Sequence, residues 1–426
     1  MNDWTMWLTL AWFVLTYTGL ARGKLPWLRT DRTGVALVGG TLVIVTGLLG
    51  PDDAGFDEAI KAIDFRTIAL LLGMMVVVGC LREAGFFERL AAAVDGHVRN
   101  PTALLAVVMA ATGVLSAVLV NDVVCLALCP LVLHTTRRLR LDPRPHLVGL
   151  ALASNIGSTA TPTGNPQNVI IAGLSKISYL RFAERLGPIA VLGLVVAFLL
   201  TAWLYRSALR PANNDNGEGE PEGPPENPKA VNAKRFPLLV KSLAVTIAAV
   251  ALFFAGAPMH LVALGAASLL LLDRLKPGKI YRHIDWGLLL MFAGLFVVVH
   301  AFEIHVVDRW GLAEWPLLRD HPVTLLSVAS AVLSNLVSNV PAVLLFKPVI
   351  PALPAASREA AWLALAMSST LAGNLTVLGS VANLIVVEQA RKEGTTISFW
   401  DYCRVGVPVT LVTLALGVAW LRFVPY

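Results

Sequence analysis

Residues 120–130 read VNDVVCLALCP and residues 338–348 read SNVPAVLLFKP, each with an Asn near its start and a Pro nine residues later. Two more pairs run alongside. GNPQN at 164–168 returns as GSVAN at 379–383, and IDFRTIALLLGM at 63–74 returns as IDWGLLLMFAGL at 284–295, keeping the Ile-Asp pair and Gly73 and Gly294. The offsets of 218, 215 and 221 keep the copies nearly in step, so the chain is written twice. Both copies interrupt apolar sequence with polar residues, Gly and Pro. Matching interruptions in two halves of a membrane chain predict one binding site between the halves, near the bilayer midplane.

Composition requires the membrane. Hydrophobic residues make up 56% and charged residues 15%, with a mean hydropathy of +0.69. Soluble domains carry roughly 25% charged residues, and runs of about 18 apolar residues are long enough to cross hydrocarbon as helices. The formal charge of +6 gathers in short loops between apolar segments, which points to membrane orientation rather than to nucleic acid. The cysteines Cys80, Cys125, Cys129 and Cys403 form no metal-binding spacing, and no cofactor motif is present. The first apolar segment lacks a basic region before it and a cleavage site after it, so it is expected to be retained.

The expected fold is an all-α polytopic membrane protein of ten spans, near 4–21, 34–50, 66–81, 147–173, 187–206, 236–254, 258–273, 286–305, 361–388 and 405–424. Segments 102–134 and 323–353 break at Asn121-Asp122 and Ser338-Asn339, and their arms look too short to cross singly. Each is expected to be a re-entrant hairpin, since non-helical backbone at membrane depth is tolerated where it lines a cavity. The first repeat covers 1–210 with its broken helix at 147–173, and the second covers 236–426 with its broken helix at 361–388. Between them, 211–235 has the composition of a flexible linker.

Five spans per half would make the repeats inverted. Placing the loops of Arg22–Arg32, Arg137–Arg144, Arg274–Arg282 and Arg391–Lys392 in the cytoplasm puts the linker there too and both termini outside, in the cell inner membrane. No nucleotide-binding loop, HExxH or GxSxG element supports ATP-driven pumping or catalysis, so no enzyme is expected.

Asn121, Ser338 and Asn339 sit at the hairpin tips, where helix N-termini offer N–H groups and an Asn amide both donates and accepts. Asp122 is the one carboxylate placed deep in the membrane. A charge there costs about 2.5–3.5 kcal/mol on insertion scales, which marks it as the proton-coupling residue or a cation ligand, against a purely capping role. SNIGSTATPTGNPQN at 154–168 must unwind at Pro162 and Pro166, and contributes Thr159, Thr161, Gly164, Asn165 and Asn168 as site candidates. The milder second copy, AGNLTVLGSVAN at 372–383, contributes Thr376, Gly379, Ser380 and Asn383. Cys125 and Cys129, four apart on one helix face, are candidate metalloid contacts against a filler role. Lys347 reads as a cation reaching the outer surface and His300 as a packing residue; the alternatives are a fixed cation at the site and a proton relay.

The tips VND and SNV, the spans TPTGNPQN and GSVAN, and the segment at 63–91 resemble the ion transporter superfamily. That group includes arsenite permeases, the NhaD sodium/proton antiporters, the melanosomal P protein, and citrate and dicarboxylate carriers. Its dicarboxylate branch carries Ser-Asn-Thr at both tips, from which both tips here depart. Asn121-Asp122 with Asn339 and Pro341 is closer to the arsenite permease and NhaD side. The resemblance implies a scaffold body and a moving transport body, and a homodimer, with a peripheral ATPase partner left open. It also implies a small solute, arsenite or antimonite, exchanged for H+. Sodium/proton antiport and organic-anion carriage are the alternatives.

Overall fold

The computed structural model describes residues 3–22, 30–95, 100–209, 228–272, 277–307, 309, 318 and 320–424. Every element is helical. The first half runs α1 (Asp3–Arg22), α2 (Arg32–Val45), α3 (Asp52–Ala62), α4 (Phe65–Glu83), α5 (Phe86–Asp95), α6 (Pro101–Val118), α7 (Asn121–Arg138), α8 (Arg144–Ser158), α9 (Pro166–Ser175) and α10 (Tyr179–Leu204). The second runs α11 (Pro228–Phe254), α12 (Met259–Leu271), α13 (Pro277–Tyr281), α14 (Trp286–Phe302), α15 (Pro322–Val337), α16 (Asn339–Phe346), α17 (Ala355–Leu371), α18 (Val381–Lys392) and α19 (Phe399–Phe423). A π-helical turn, Glu303–Val307, extends α14.

Among the described residues, six helices are long and apolar enough to cross a membrane: α4, α6, α10, the Phe236–Phe254 part of α11, α14 with its π-turn, and α19. The spans expected at 34–50 and 258–273 are shorter, at 14 and 13 residues. The two broken spans are each a pair of shorter helices, α8 with α9 and α17 with α18. Two expectations need correcting. The first hairpin's arms are 18 residues each, so α6 is about 27 Å long and not too short to cross. Helix α11 begins at Pro228, inside the stretch expected as linker; residues 211–227 lie outside the described residues. Lys24, Arg29, Arg274 and Lys276 of the expected cytoplasmic loops lie there too.

Although α6 is long, its hairpin returns to its starting side. The His146 ring at the start of α8 lies 3.1 Å from the Pro101 carbonyl, at the start of α6, and 3.3 Å from the Asp142 carbonyl, just past the end of α7. Asn100 caps α6 by accepting from the Thr102 and Ala103 amides. Helices α10 and α19 run antiparallel: Tyr205 OH donates to the Asp401 carbonyl at one end, and Arg185 donates to the Val424 carbonyl at the other. The first end also holds the Arg144–Asp142 pair; the second holds Arg181–Glu359 at 2.8 Å.

Packing crosses between the halves reciprocally. Helix α2 packs on α14, and α12 on α4; α7 packs on α18, and α16 on α9. The repeated glycines sit at the first two crossings. A Cβ on Gly73 would lie 2.6 Å from the Ala263 carbonyl carbon, and one on Gly294 would press on the Ala36 carbonyl oxygen. Large apolar side chains such as Leu199 and Trp203 on α10, and Val328, Val332 and Leu336 on α15, are exposed, as lipid-facing stripes require.

Candidate functional site

Four helices begin at one place. The first residues of α7 (Asn121, Asp122), α9 (Pro166, Gln167), α16 (Asn339, Val340, Pro341) and α18 (Val381) line a cavity of about 160 Å³, with Ser338 and Ser380 beside them. Each helix presents its N-terminal dipole end to that space. Arg32, Thr33 and Asp285, from the starts of α2 and α14, line it as well. Asp285 lies at the end of α14 nearest the His283–Glu83 pair, whereas the opposite end carries His300, Glu303 and Lys347. The cavity thus lies toward the end of α14 that follows the Arg274–Arg282 loop, which is expected to be cytoplasmic.

Beneath the cavity the two unwound segments are locked by matching bonds. Asn168 Nδ2 donates to the Ser158 and Thr161 carbonyls, both at 3.0 Å. Asn383 Nδ2 donates to the Gly373 and Thr376 carbonyls at 2.7 and 3.0 Å, the same pattern 215 residues on. Asn155 joins the halves: its Nδ2 donates to Asn374 Oδ1 and Asn383 Oδ1, and its Oδ1 accepts from Asn121 Nδ2 and Ser380 Oγ. In mirror fashion, Thr370 Oγ1 accepts from Asn165 Nδ2 and Gln167 Nε2 at 3.2 Å each.

The tips themselves are unequal. With its nitrogen facing acceptors, the Asn339 amide donates to the Ser369 and Gly379 carbonyls and accepts from Gln167 Nε2 at 3.3 Å, so it is satisfied. Asn121 is 3% exposed, and its Oδ1 meets no donor among the described residues. Asp122 beside it is half-buried and lines the cavity together with Val381 at the start of α18. At the second tip the corresponding residue is Val340.

Of the residues expected at the site, Asn121, Asp122, Ser338, Asn339 and Ser380 line the cavity. Thr159, Thr161, Gly164, Asn165, Asn168, Thr376, Gly379 and Asn383 do not. Their groups are spent on the lock: Thr159 donates to the Asn155 carbonyl, Thr161 to Ala117, Thr376 to Asn335, and Gly164 accepts from the Asn121 amide. Cys125 and Cys129 are fully buried, and neither lines the cavity; the Cys129 thiol faces the Val386 carbonyl at 3.7 Å. Lys347 pairs with Glu303 at 3.6 Å, and His300 with Glu58 at 3.3 Å, both at the far end of α14.

Gln167, Asn155, Thr370, Arg32 and Asp285 were missed. Gln167 and Asn155 stand inside the broken-span motif, and Asp285 in the repeated Ile-Asp pair, so the signal was present. The first-copy Asp64 spends both oxygens on capping, taking the Arg66 and Thr67 amides and the Thr67 hydroxyl. Among the described residues, Asp285 caps only the Leu288 amide.

Residues 13–368 and 322–425 match the citrate transporter family, CitMHS. The chain belongs to that family. It therefore lies within the ion transporter superfamily that its motifs resemble, and is a multi-pass membrane transporter rather than an enzyme. A 46 kDa membrane protein of Mycobacterium leprae is 31% identical over 433 residues, covering 96% of this chain and 97% of the relative. The silicon efflux transporter LSI3 of Oryza sativa is 32% identical over 461 residues, covering 93% of each. The crystal structure of the Alcanivorax borkumensis YdaH transporter, described as having an unusual topology, superposes with a TM-score of 0.58 at 15% identity. It covers 98% of this chain and 96% of that one, and shows likeness of fold.

Proposed function

We propose that the chain is a secondary transporter that exports a small uncharged hydroxy acid, arsenite or antimonite, in exchange for protons. The observation that carries this reading is the buried, unmatched Asn121 Oδ1 next to the Asp122 carboxylate. Both groups accept, so the solute must donate. Four helix N-termini around them suit the oxygens of the same solute. Arsenous acid has three hydroxyls and no charge at neutral pH. Silicic acid, the uncharged form of the element in the rice relative's name, has the same character.

Antiport follows from competition. A solute hydroxyl binds ionised Asp122 from the cytoplasmic side, the hairpins and broken helices carry it across, and a proton replaces it on the outside. Asp122 and Arg32 are of opposite charge, but Asp285 adds a second carboxylate to the lining, which disfavours a tricarboxylate such as citrate. The same two carboxylates support a second reading, sodium/proton antiport. In this arrangement the basic loops are cytoplasmic, both termini lie outside in the inner membrane, and the working unit is a homodimer.

The test is purified protein in liposomes with a trapped pH dye, given arsenite, silicic acid, sodium or citrate in turn. Proton movement driven by a hydroxy acid without sodium, and lost in Asp122→Asn, is the expected result. A response to sodium alone selects the second reading, and full activity in Asp122→Asn removes the mechanism.

A further inference from the structure

Residues 164–168 and 379–383 correspond at an offset of 215, so Gln167 and Ala382 hold the same place in the two copies, as do Thr370 and Asn155. Each hairpin tip lies against the broken span of the other copy: α16 packs on α9, and α7 on α18. The second tip therefore faces Gln167, and the first faces Ala382. Gln167 is 4% exposed, and its amide nitrogen reaches both Thr370 Oγ1 and the Asn339 oxygen. Ala382 has no such group, and the Asn121 oxygen, equally buried, is left without a donor among the described residues.

Leaving a buried acceptor without a partner is costly, so a place for a donor is built in at the first tip. From this pairing of a filled and an open half-site, we infer that Gln167 is an internal stand-in for the transported solute. At Asn339 its amide supplies the donor that the solute supplies at Asn121. The transport site is then single and one-sided. The solute donates one hydrogen bond to Asn121 Oδ1 and a second to the Asp122 carboxylate, which replaces Val340 in this half. Two hydroxyls on one central atom satisfy both contacts; a fully ionised carboxylic acid satisfies neither.

This inference rests on the cavity being the transport site and goes beyond it by fixing which half binds and what the solute must offer. Ala382→Gln should give the first tip its own stand-in. Arsenite-driven proton flux in proteoliposomes should show an apparent KM raised about tenfold or more, matching the roughly 1.4 kcal/mol advantage of an internal donor over a diffusing one. Ala382 is fully buried, so a second comparison guards against misfolding. Asn121→Ser should raise KM at least tenfold more than Asn339→Ser, whose partner is internal. Wild-type KM in folded Ala382→Gln, or equal effects at the two tips, overturns the inference. Asp122→Asn run alongside separates the two failures: if it transports normally the cavity reading falls, and if it is inactive only the one-sided site is at stake.

Discussion

Ser338 holds φ 79° and ψ 160° at the second hairpin tip, a region that only glycine enters freely. The first tip turns through Leu119 and Val120 with negative φ at both residues, so the strain belongs to one tip alone. Ser338→Gly should raise stability by about 1 kcal/mol, the lower part of the range for such a residue. Chemical denaturation in detergent checks this, and a loss of stability would show that the serine side chain matters more than the backbone it distorts. At this scale the sequence was readable where a residue acts through its own chemistry. Asn121 and Asp122 stand out as polar residues in apolar surroundings, and they line the cavity. Thr370 was not readable, because its donors Asn165 and Gln167 come from the other copy, more than 200 residues away. The Cys125–Cys129 spacing marked a shared helix face correctly, but that face is turned into the protein.

Among the elements, the broken spans were expected to supply binding groups and instead supply mostly structure. Unwinding a helix in the membrane frees carbonyls that water cannot reach, and each must find a donor. Asn168 and Asn383 meet that need for four carbonyls, which is why so many polar residues in TPTGNPQN and GSVAN never reach the cavity. Hydropathy alone cannot separate these two uses of an Asn. The crossings α4 on α12 and α14 on α2 make a different demand. Gly73→Ala should cost about 1–3 kcal/mol through overpacking against Ala263, and Gly294→Ala a similar amount against Ala36. Thermal unfolding in detergent measures both. A neutral Gly294→Ala would mean that α2 and α14 can separate freely, contrary to the close backbone approach at Gly40.

In the molecule as a whole, Arg32, Thr33 and Asp285 line the cavity while the four cysteines are buried. The wild-type chain should therefore resist a membrane-impermeant maleimide. Thr33→Cys should react from the cytoplasmic face, and bound solute should slow the reaction. Labelling only from outside would reverse the orientation read from the basic loops. The helix breaks at the tips and in the two broken spans were legible from short motifs, but the packing of helices across the chain was not. That packing bears on how the protein is made. Helix α2 leaves the ribosome long before α14, its partner, which follows roughly 240 residues later, or some 12–50 s at ordinary elongation rates. During that interval the small-residue face of Ala36 and Gly40, which Gly294 later covers, has only lipid or the insertion machinery against it. The first half is thus a client awaiting its second half, and assembly of the protein in the membrane is paced by translation.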